Sequence, residues 1–113
     1  MLPKDKRLNL KTDFIWIRSG IKIANNLVRV FYRFGENPFP KVGIATSKSN
    51  FPESVDRNRA RRLISKAFEN IYHELPEKIN VLVMPNKEVL KASSEELTVI
   101  LEDLLKKGNI IKN

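Results

Sequence analysis

The residues best suited to chemistry lie between Val55 and Lys66, where four arginines and one lysine accompany a single acid, Asp56. A solvated helix face normally mixes both signs of charge, because like charges repel. Guanidinium groups are planar, permanently charged and matched to phosphate oxygens. The stretch therefore predicts a surface for the phosphates of RNA or DNA rather than an ordinary solvated helix face.

The elements that position these cations can be predicted from spacing. Apolar residues recur at helical intervals, which predicts one amphipathic helix from about Ser54 to Leu75, ended by Pro76. Its apolar side comprises Ala60, Leu63, Ile64, Ala67, Phe68 and Ile71, and its polar side carries Asn58, Arg61, Arg62 and Lys66. The helix should pack on a core and present its cations outward.

The whole chain is basic, with 21 Lys and Arg against 13 Asp and Glu and a net charge of +8 over 113 residues. Such a charge attracts polyanions, and nucleic acid is the commonest of them. The length predicts a single domain, residues 1–113. The absence of cysteine excludes disulfides, thiolate metal sites and a cysteine nucleophile. Without a secretory signal or a long apolar span, we expect a cytoplasmic protein that does not enter a membrane.

A predicted strand from Leu27 to Phe34 forms a second candidate surface, because Arg29, Phe31 and Arg33 alternate onto one face. An aromatic ring between two cations can stack a base while the cations neutralise phosphates, as on single-strand binding surfaces. The same alternation also fits a Phe31 packed beneath a helix, with the arginines extending to solvent. The alternation alone leaves both interpretations open.

The remaining segments predict an α/β protein of the two-layer α+β kind. We expect an extended or mobile stretch at residues 1–11 and then a short helix capped by Thr12 or Asp13. Lys41–Thr46 is predicted to return as the hairpin partner of the first strand, and Ile79–Met84 to be buried on both faces. Ser93 and Glu96 predict a capping box for the last helix.

The predicted order is helix, strand, strand, helix, strand, helix, with three helices on a small mixed sheet of about four strands. The strand–helix–strand unit from Lys41 to Met84 should join parallel strands. No catalytic centre is evident: His73 has no partner in the sequence, and Ser47 beside Lys48 is weak evidence for a nucleophile and its base. We predict no catalytic residue and no metal site in this chain.

Several stretches, in order along the chain, resemble the protein subunit of bacterial ribonuclease P. They are Leu2-Pro3-Lys4 with Arg7-Leu8, Asp13-Phe14 followed by Gly20, the stretch from Val42 to Lys48, and Arg57-Asn58-Arg59 continuing through Arg61-Arg62-Leu63-Ile64 to Ala67-Phe68. The resemblance covers nearly the whole chain. It implies a left-handed crossover between parallel strands. It also implies an RNA-binding protein that assists a catalytic RNA and Mg²⁺ in cutting the 5′ leader from precursor tRNA, with the catalytic centre in the RNA and no protein partner evident.

The resemblance also assigns residues, and it favours the functional role for Phe31. Contacts to the catalytic RNA, ribonuclease P RNA, would come from Lys48, Arg57, Asn58, Arg59, Arg62 and Lys66. A cleft for the single-stranded leader would be lined by Phe14, Arg29, Phe31, Arg33, Arg57, Asn58 and Arg61.

Four departures from the family pattern lower the positive charge. Ser49, Ser65 and Met84 stand where basic residues are common, and Asp56 adds an acid. We expect retuned RNA affinity rather than loss of function. Two alternatives remain: a general RNA-binding or ribosome-associated protein without leader preference, and a protein-only nuclease, for which the sequence offers no cluster of carboxylates or histidines.

Overall fold

The computed structural model describes residues 2–112, and within that range it contains three α-helices and a four-stranded mixed sheet. The elements are α1 (Leu10–Arg18), β1 (Ile21–Ala24), β2 (Val28–Phe34), β3 (Lys41–Ile44), α2 (Ser54–Ile71), β4 (Ile79–Pro85) and α3 (Ser94–Lys107). Short 3₁₀ turns lie at Lys4–Lys6, Tyr72–Glu74 and Lys87–Lys91. The predicted α+β class is confirmed.

The strands lie in the order β1-β2-β4-β3. The predicted parallel unit is confirmed, since β3 and β4 pair in parallel with Val42 opposite Val81. The predicted hairpin pairing of the two strands before α2 is wrong, because β4 lies between β2 and β3 and pairs antiparallel with β2. Both faces of β4 are buried, which is why this apolar strand takes a central position.

Strand β1 is absent from the predicted order of elements. It lies at the sheet edge and pairs antiparallel with β2, with Ile21 opposite Tyr32. Most of its side chains are exposed, including that of Ile21. A short edge strand of this kind has no alternating burial to reveal it, so its pairing with β2 depends on the tertiary structure.

The helix ends follow local hydrogen bonding. Helix α1 begins earlier than predicted, because the Asn9 side chain, rather than Thr12 or Asp13, caps it by accepting from the Lys11 backbone N–H at 3.1 Å. Helix α2 ends at Ile71 and passes into a 3₁₀ turn before Leu75, whose extended backbone is typical of a residue before proline. The capping box of α3 is confirmed.

The two faces of the sheet bury different clusters. Helices α2 and α3 pack on one face, where the core includes Ile64, Phe68 and Leu101. Helix α1 covers the opposite face, where a smaller cluster consists of Leu8, Ile17, Phe31 and Leu82. Consequently α1 covers the sheet face that carries Phe31, while the polar side of α2 points away from both clusters.

The N-terminal segment, predicted to be extended or mobile, packs against the protein and includes the 3₁₀ turn at Lys4–Lys6. Leu2 and Leu8 are buried. The Leu8 backbone N–H donates to the Val42 carbonyl at 3.1 Å, and Arg7 forms a parallel bridge with the same residue. The two leucines among the cations supply the apolar surface through which this segment packs on the protein.

Gly20 allows the end of α1 to approach β2 closely. A Cβ atom at Gly20 would lie 2.3 Å from Arg33 Cγ and 2.4 Å from the Tyr32 carbonyl oxygen. Gly20→Ala should therefore lower the free energy of unfolding in urea by about 1–3 kcal/mol. Gly108→Ala is the control, since its Cβ would meet no backbone among its nearest neighbours, which are side-chain atoms of Ile23 at 3.0 and 3.3 Å and of Ile110 at 3.6 Å. Equal losses in both variants would contradict the close approach at Gly20.

Candidate nucleic-acid interface

Two arginines of α2 fix the loop that joins β3 to α2. The Arg57 Nη1 atom donates to the carbonyl oxygens of Phe51 and Pro52 at 2.7 and 3.2 Å. The Arg61 Nη1 atom donates to Thr46 Oγ1 at 2.8 Å, and its Nη2 atom donates to Asn58 Oδ1. Both arginines are half-buried. They therefore shape the basic surface as well as carrying part of its charge.

The remaining cations of this surface point into solvent. Arg59, Arg62 and Lys66 are exposed on α2, and Lys48 is exposed on the adjoining loop. Lys66 lies 3.7 Å from Glu69, whereas Arg59 and Arg62 have no ion pair within residues 2–112. We call the outward side of α2 with this loop the basic face. Its two unpaired guanidinium groups are available to bind anions.

The predicted leader cleft is partly assembled by α1. Phe14 is half-buried and Phe31 is 5% exposed. The Arg18 guanidinium lies over both rings, 5.9 Å from the Phe14 centroid and 5.3 Å from the Phe31 centroid. Of the two interpretations of Phe31, the packed one describes its position. An exposed stacking platform at this residue is not present.

Arg33 and Arg29 lie on the same sheet face but in different surroundings. Arg33 is held against Trp16 at the end of α1. Arg29 lies opposite Met84 in the sheet register, and both line a cleft of about 250 Å³ that Asn50 of the β3–α2 loop also borders. The structure thus places Arg29 and Arg33 apart on the sheet face that α1 covers, whereas Arg57, Asn58 and Arg61 lie on α2.

Comparison with known proteins identifies the family. Residues 2–109 match the family model for ribonuclease P. The chain belongs to the ribonuclease P protein family. Its members are protein components of an endoribonuclease complex of tRNA processing, and membership implies association with ribonuclease P RNA.

Relatives and solved structures agree with this assignment. The ribonuclease P protein component of Blochmanniella pennsylvanica is 30% identical over 104 residues, which cover 91% of this chain and 90% of that protein. The component from Chromohalobacter salexigens is 29% identical over 89 residues, covering 77% and 69%.

Two solved structures share the fold. A Staphylococcus aureus RNase P protein mutant with defective mRNA degradation activity superimposes with a TM-score of 0.82 at 22% identity, covering 96% of this chain and 92% of that one. The RNase P protein from Thermotoga maritima gives 0.79 at 23% identity, covering 89% and 96%.

Ser65 marks a departure from the ribonuclease P protein pattern that the structure explains. Its side chain is buried, and its Oγ accepts from the Leu2 backbone N–H at 3.4 Å. With Leu8, Gly43 and Arg61 it lines a cleft of about 250 Å³ beneath the N-terminal segment. The small hydroxyl therefore makes room for Leu2 where a basic side chain would need to reach solvent.

Ser65→Arg should release the N-terminal segment from α2. To reach solvent, the larger charged side chain would displace Leu2 and lose the Ser65 hydrogen bond to the Leu2 N–H, so we expect the free energy of unfolding to fall by about 1–3 kcal/mol. Amide hydrogen exchange should show faster exchange at Leu8, whose N–H bonds to β3. Lys66→Arg is the control, because Lys66 is the next residue in the sequence and its side chain is exposed. Unchanged protection of Leu8 in the Ser65 variant would contradict this role.

The N-terminal segment also brings further cations beside the basic face of this ribonuclease P protein. The Lys6 ammonium lies 4.8 Å from the Tyr72 ring centroid, and Arg7 is exposed. Burial raises the pKa of Tyr72, and the Asp5 carboxylate raises it further, so the phenol remains protonated. It can therefore keep donating its hydrogen bond to the Pro40 carbonyl.

Two features of the site were missed from sequence. Arg18, which covers Phe14 and Phe31, follows Phe14 by four residues, a helical spacing that could have revealed the pair. The docking of Leu2 and Leu8 has no comparable local signal.

Across residues 2–112, no helix is long and apolar enough to cross a bilayer.

Proposed function

We propose that this chain is the protein subunit of a ribonuclease P ribonucleoprotein, and that it binds the catalytic RNA through its basic face. The observation that supports this most directly is the pair of exposed arginines Arg59 and Arg62, which form no ion pair among the described residues. They lie beside a loop that is fixed by Arg57 and Arg61. Lys48, Asn58 and Lys66 complete the proposed contact to the RNA. Phosphate contacts of this kind position the RNA and make binding dependent on salt.

The single-stranded leader of precursor tRNA is proposed to lie along the face that α1 and β2 form. Phe14, Arg29, Arg33 and Arg61 would line its path, with Arg57 and Asn58 at the border of the basic face. Phe31 supports this path from below, since it packs under Arg18. The protein would assist cleavage by screening repulsion between the RNAs and by positioning the substrate.

The bond chemistry is proposed to belong to the RNA subunit. Within the described residues, there is no group of three or more His, Cys, Asp or Glu side chains that could hold a metal ion. We propose that the Mg²⁺ that cleavage would use is held by the RNA and the substrate. We also propose that the protein acts in the cytoplasm, as expected from its cysteine-free composition.

The test is cleavage of precursor tRNA by a bacterial ribonuclease P RNA at low Mg²⁺, with and without this protein. We expect stimulation that requires the leader, and tighter binding of precursor than of mature tRNA. RNA binding without stimulation would instead favour the general RNA-binding alternative. Cleavage by the protein with no RNA subunit present would favour a protein-only nuclease.

A further inference from the structure

The C-terminal end of α1 carries an aromatic site outside the set predicted from sequence. Trp16 is 39% exposed and Phe34 is 57% exposed. Both line a groove of about 400 Å³, together with Gly35, Lys41 and two carboxylates, Asp13 and Glu36. We call this feature the Trp16 groove. Adjoining exposed rings in a groove provide apolar surface on which a ligand can pack.

The indole of Trp16 is held in place. The Arg33 guanidinium lies 5.2 Å from its ring centroid, and Arg33 Nη1 donates to the Trp16 carbonyl and to Ser19 Oγ at 3.2 and 3.0 Å. The Ser19 hydroxyl in turn donates to the Trp16 carbonyl at 2.7 Å. Gly35 admits the ring edge, since a Cβ there would lie 3.2 Å from Trp16 Cη2. A ring fixed before binding loses little entropy when a ligand stacks on it.

Trp16 has an accessible aromatic ring, whereas the ring of Phe31 is buried. Each aromatic ring is accompanied by an arginine at a similar distance, Arg18 for Phe31 and Arg33 for Trp16. Phe31 is enclosed beneath α1, whereas more than a third of Trp16 remains accessible. Of these two rings on the α1 face, Trp16 is therefore the one that a base could reach without unfolding the helix.

The chemistry of the groove suits a nucleobase. The lining carries two carboxylates, Asp13 and Glu36, against one cation, Lys41, while the Arg33 guanidinium lies beside the Trp16 ring. The groove therefore favours a neutral ring over a phosphate, and the carboxylates can accept from base amino groups. A second copy of this chain is a poor occupant, because it would bring one net charge of +8 against another. Single-stranded RNA combines accessible bases with an anionic backbone that the basic chain attracts.

We propose that a base of the single-stranded leader stacks on Trp16 in the Trp16 groove. This rests on the proposed function and adds a nucleotide contact to it. Leu10 lines the cleft beside Arg61, and Trp16 follows it by six residues, about 9 Å along the helix axis. The contact would thus extend the leader path along α1, from the edge of the basic face toward Gly20 and β1.

The protein provides its own probe, because Trp16 is the only tryptophan. Intrinsic fluorescence of the reconstituted holoenzyme should be quenched by precursor tRNA and not by mature tRNA, which serves as the control for absorbance by RNA. In parallel, Trp16→Ala should weaken precursor binding about tenfold and leave mature tRNA binding unchanged, as expected for loss of one stacked base. Trp16→Phe should retain most of the precursor affinity.

Ile15→Ala is the matched control, since Ile15 is 82% exposed on the same helix and offers no stacking surface. Equal weakening by the Ile15 and Trp16 variants would overturn the proposal, as would unquenched fluorescence with precursor preference intact in Trp16→Ala. Concentration-dependent dimers that shift the fluorescence without RNA would overturn it in favour of a second copy. Failure of the proposed function is distinguishable, because the wild-type holoenzyme would then show no preference for precursor over mature tRNA.

Discussion

Replacing Arg59 and Arg62 together by alanine is expected to weaken binding of ribonuclease P RNA about 100-fold at 0.1 M salt. Each phosphate contact contributes about 0.7 (single strand) to 0.9 (duplex DNA) to the steepness of log affinity against log salt, so losing two contacts should make the salt dependence shallower by about 1.5–2. Both side chains are exposed and have no ion pair within the described residues, so their removal should leave the fold intact. Filter binding at several salt concentrations measures both quantities.

The matched control removes the same charge from another surface. Lys106→Ala with Lys107→Ala also deletes two cations, but these pair with Glu102 at 3.8 Å and Asp103 at 3.4 Å on α3. We expect the salt slope of this variant to stay close to that of wild type. If both double variants lost the same affinity, net charge rather than the basic face would govern binding.

Single alanine variants of Arg57 and Arg61 test the same surface less cleanly. From sequence, each is expected to lower the salt slope by about one. The structure adds a second effect, since each arginine also holds the β3–α2 loop through hydrogen bonds to Phe51 or Thr46. Their alanine variants should therefore lose loop order together with charge, which is why the Arg59 and Arg62 pair is preferable.

Phe31→Ala is expected to lower the free energy of unfolding by about 3–5 kcal/mol, a large share of the stability of a small domain. The ring is 5% exposed and packs with Leu8, Ile17 and Leu82 between α1 and the sheet. Its truncation leaves a cavity beneath α1. Urea unfolding monitored by far-UV circular dichroism measures the loss.

A second substitution separates packing from base stacking at this position. Phe31→Leu keeps most of the apolar volume, so we expect it to cost less than about 1.5 kcal/mol and to preserve the preference for precursor over mature tRNA. A Phe31→Leu protein with normal stability but no leader preference would show that the aromatic face of Phe31 contacts RNA. The Trp16 groove would then not be the main stacking site.

The sequence by itself determined the elements whose side chains repeat with a regular period. The apolar stripe of α2 predicted both its burial and its outward cations, because a helix with two chemically distinct sides has only one way to face a core. The continuous apolar run from Ile79 predicted a strand buried on both faces, and Ser93 with Glu96 predicted the start of α3. The motif around Arg57-Asn58-Arg59, together with the other stretches in order along the chain, indicated the family.

Only the tertiary structure decided what packs against each face. Alternation placed Phe31 with Arg29 and Arg33, but it could not show that α1 covers that face. The order of strands, the edge strand β1 and the docking of Leu2 on Ser65 likewise depend on contacts between distant parts of the chain. Periodicity reports which side chains of one element point the same way, whereas burial depends on the surface that another element brings to them.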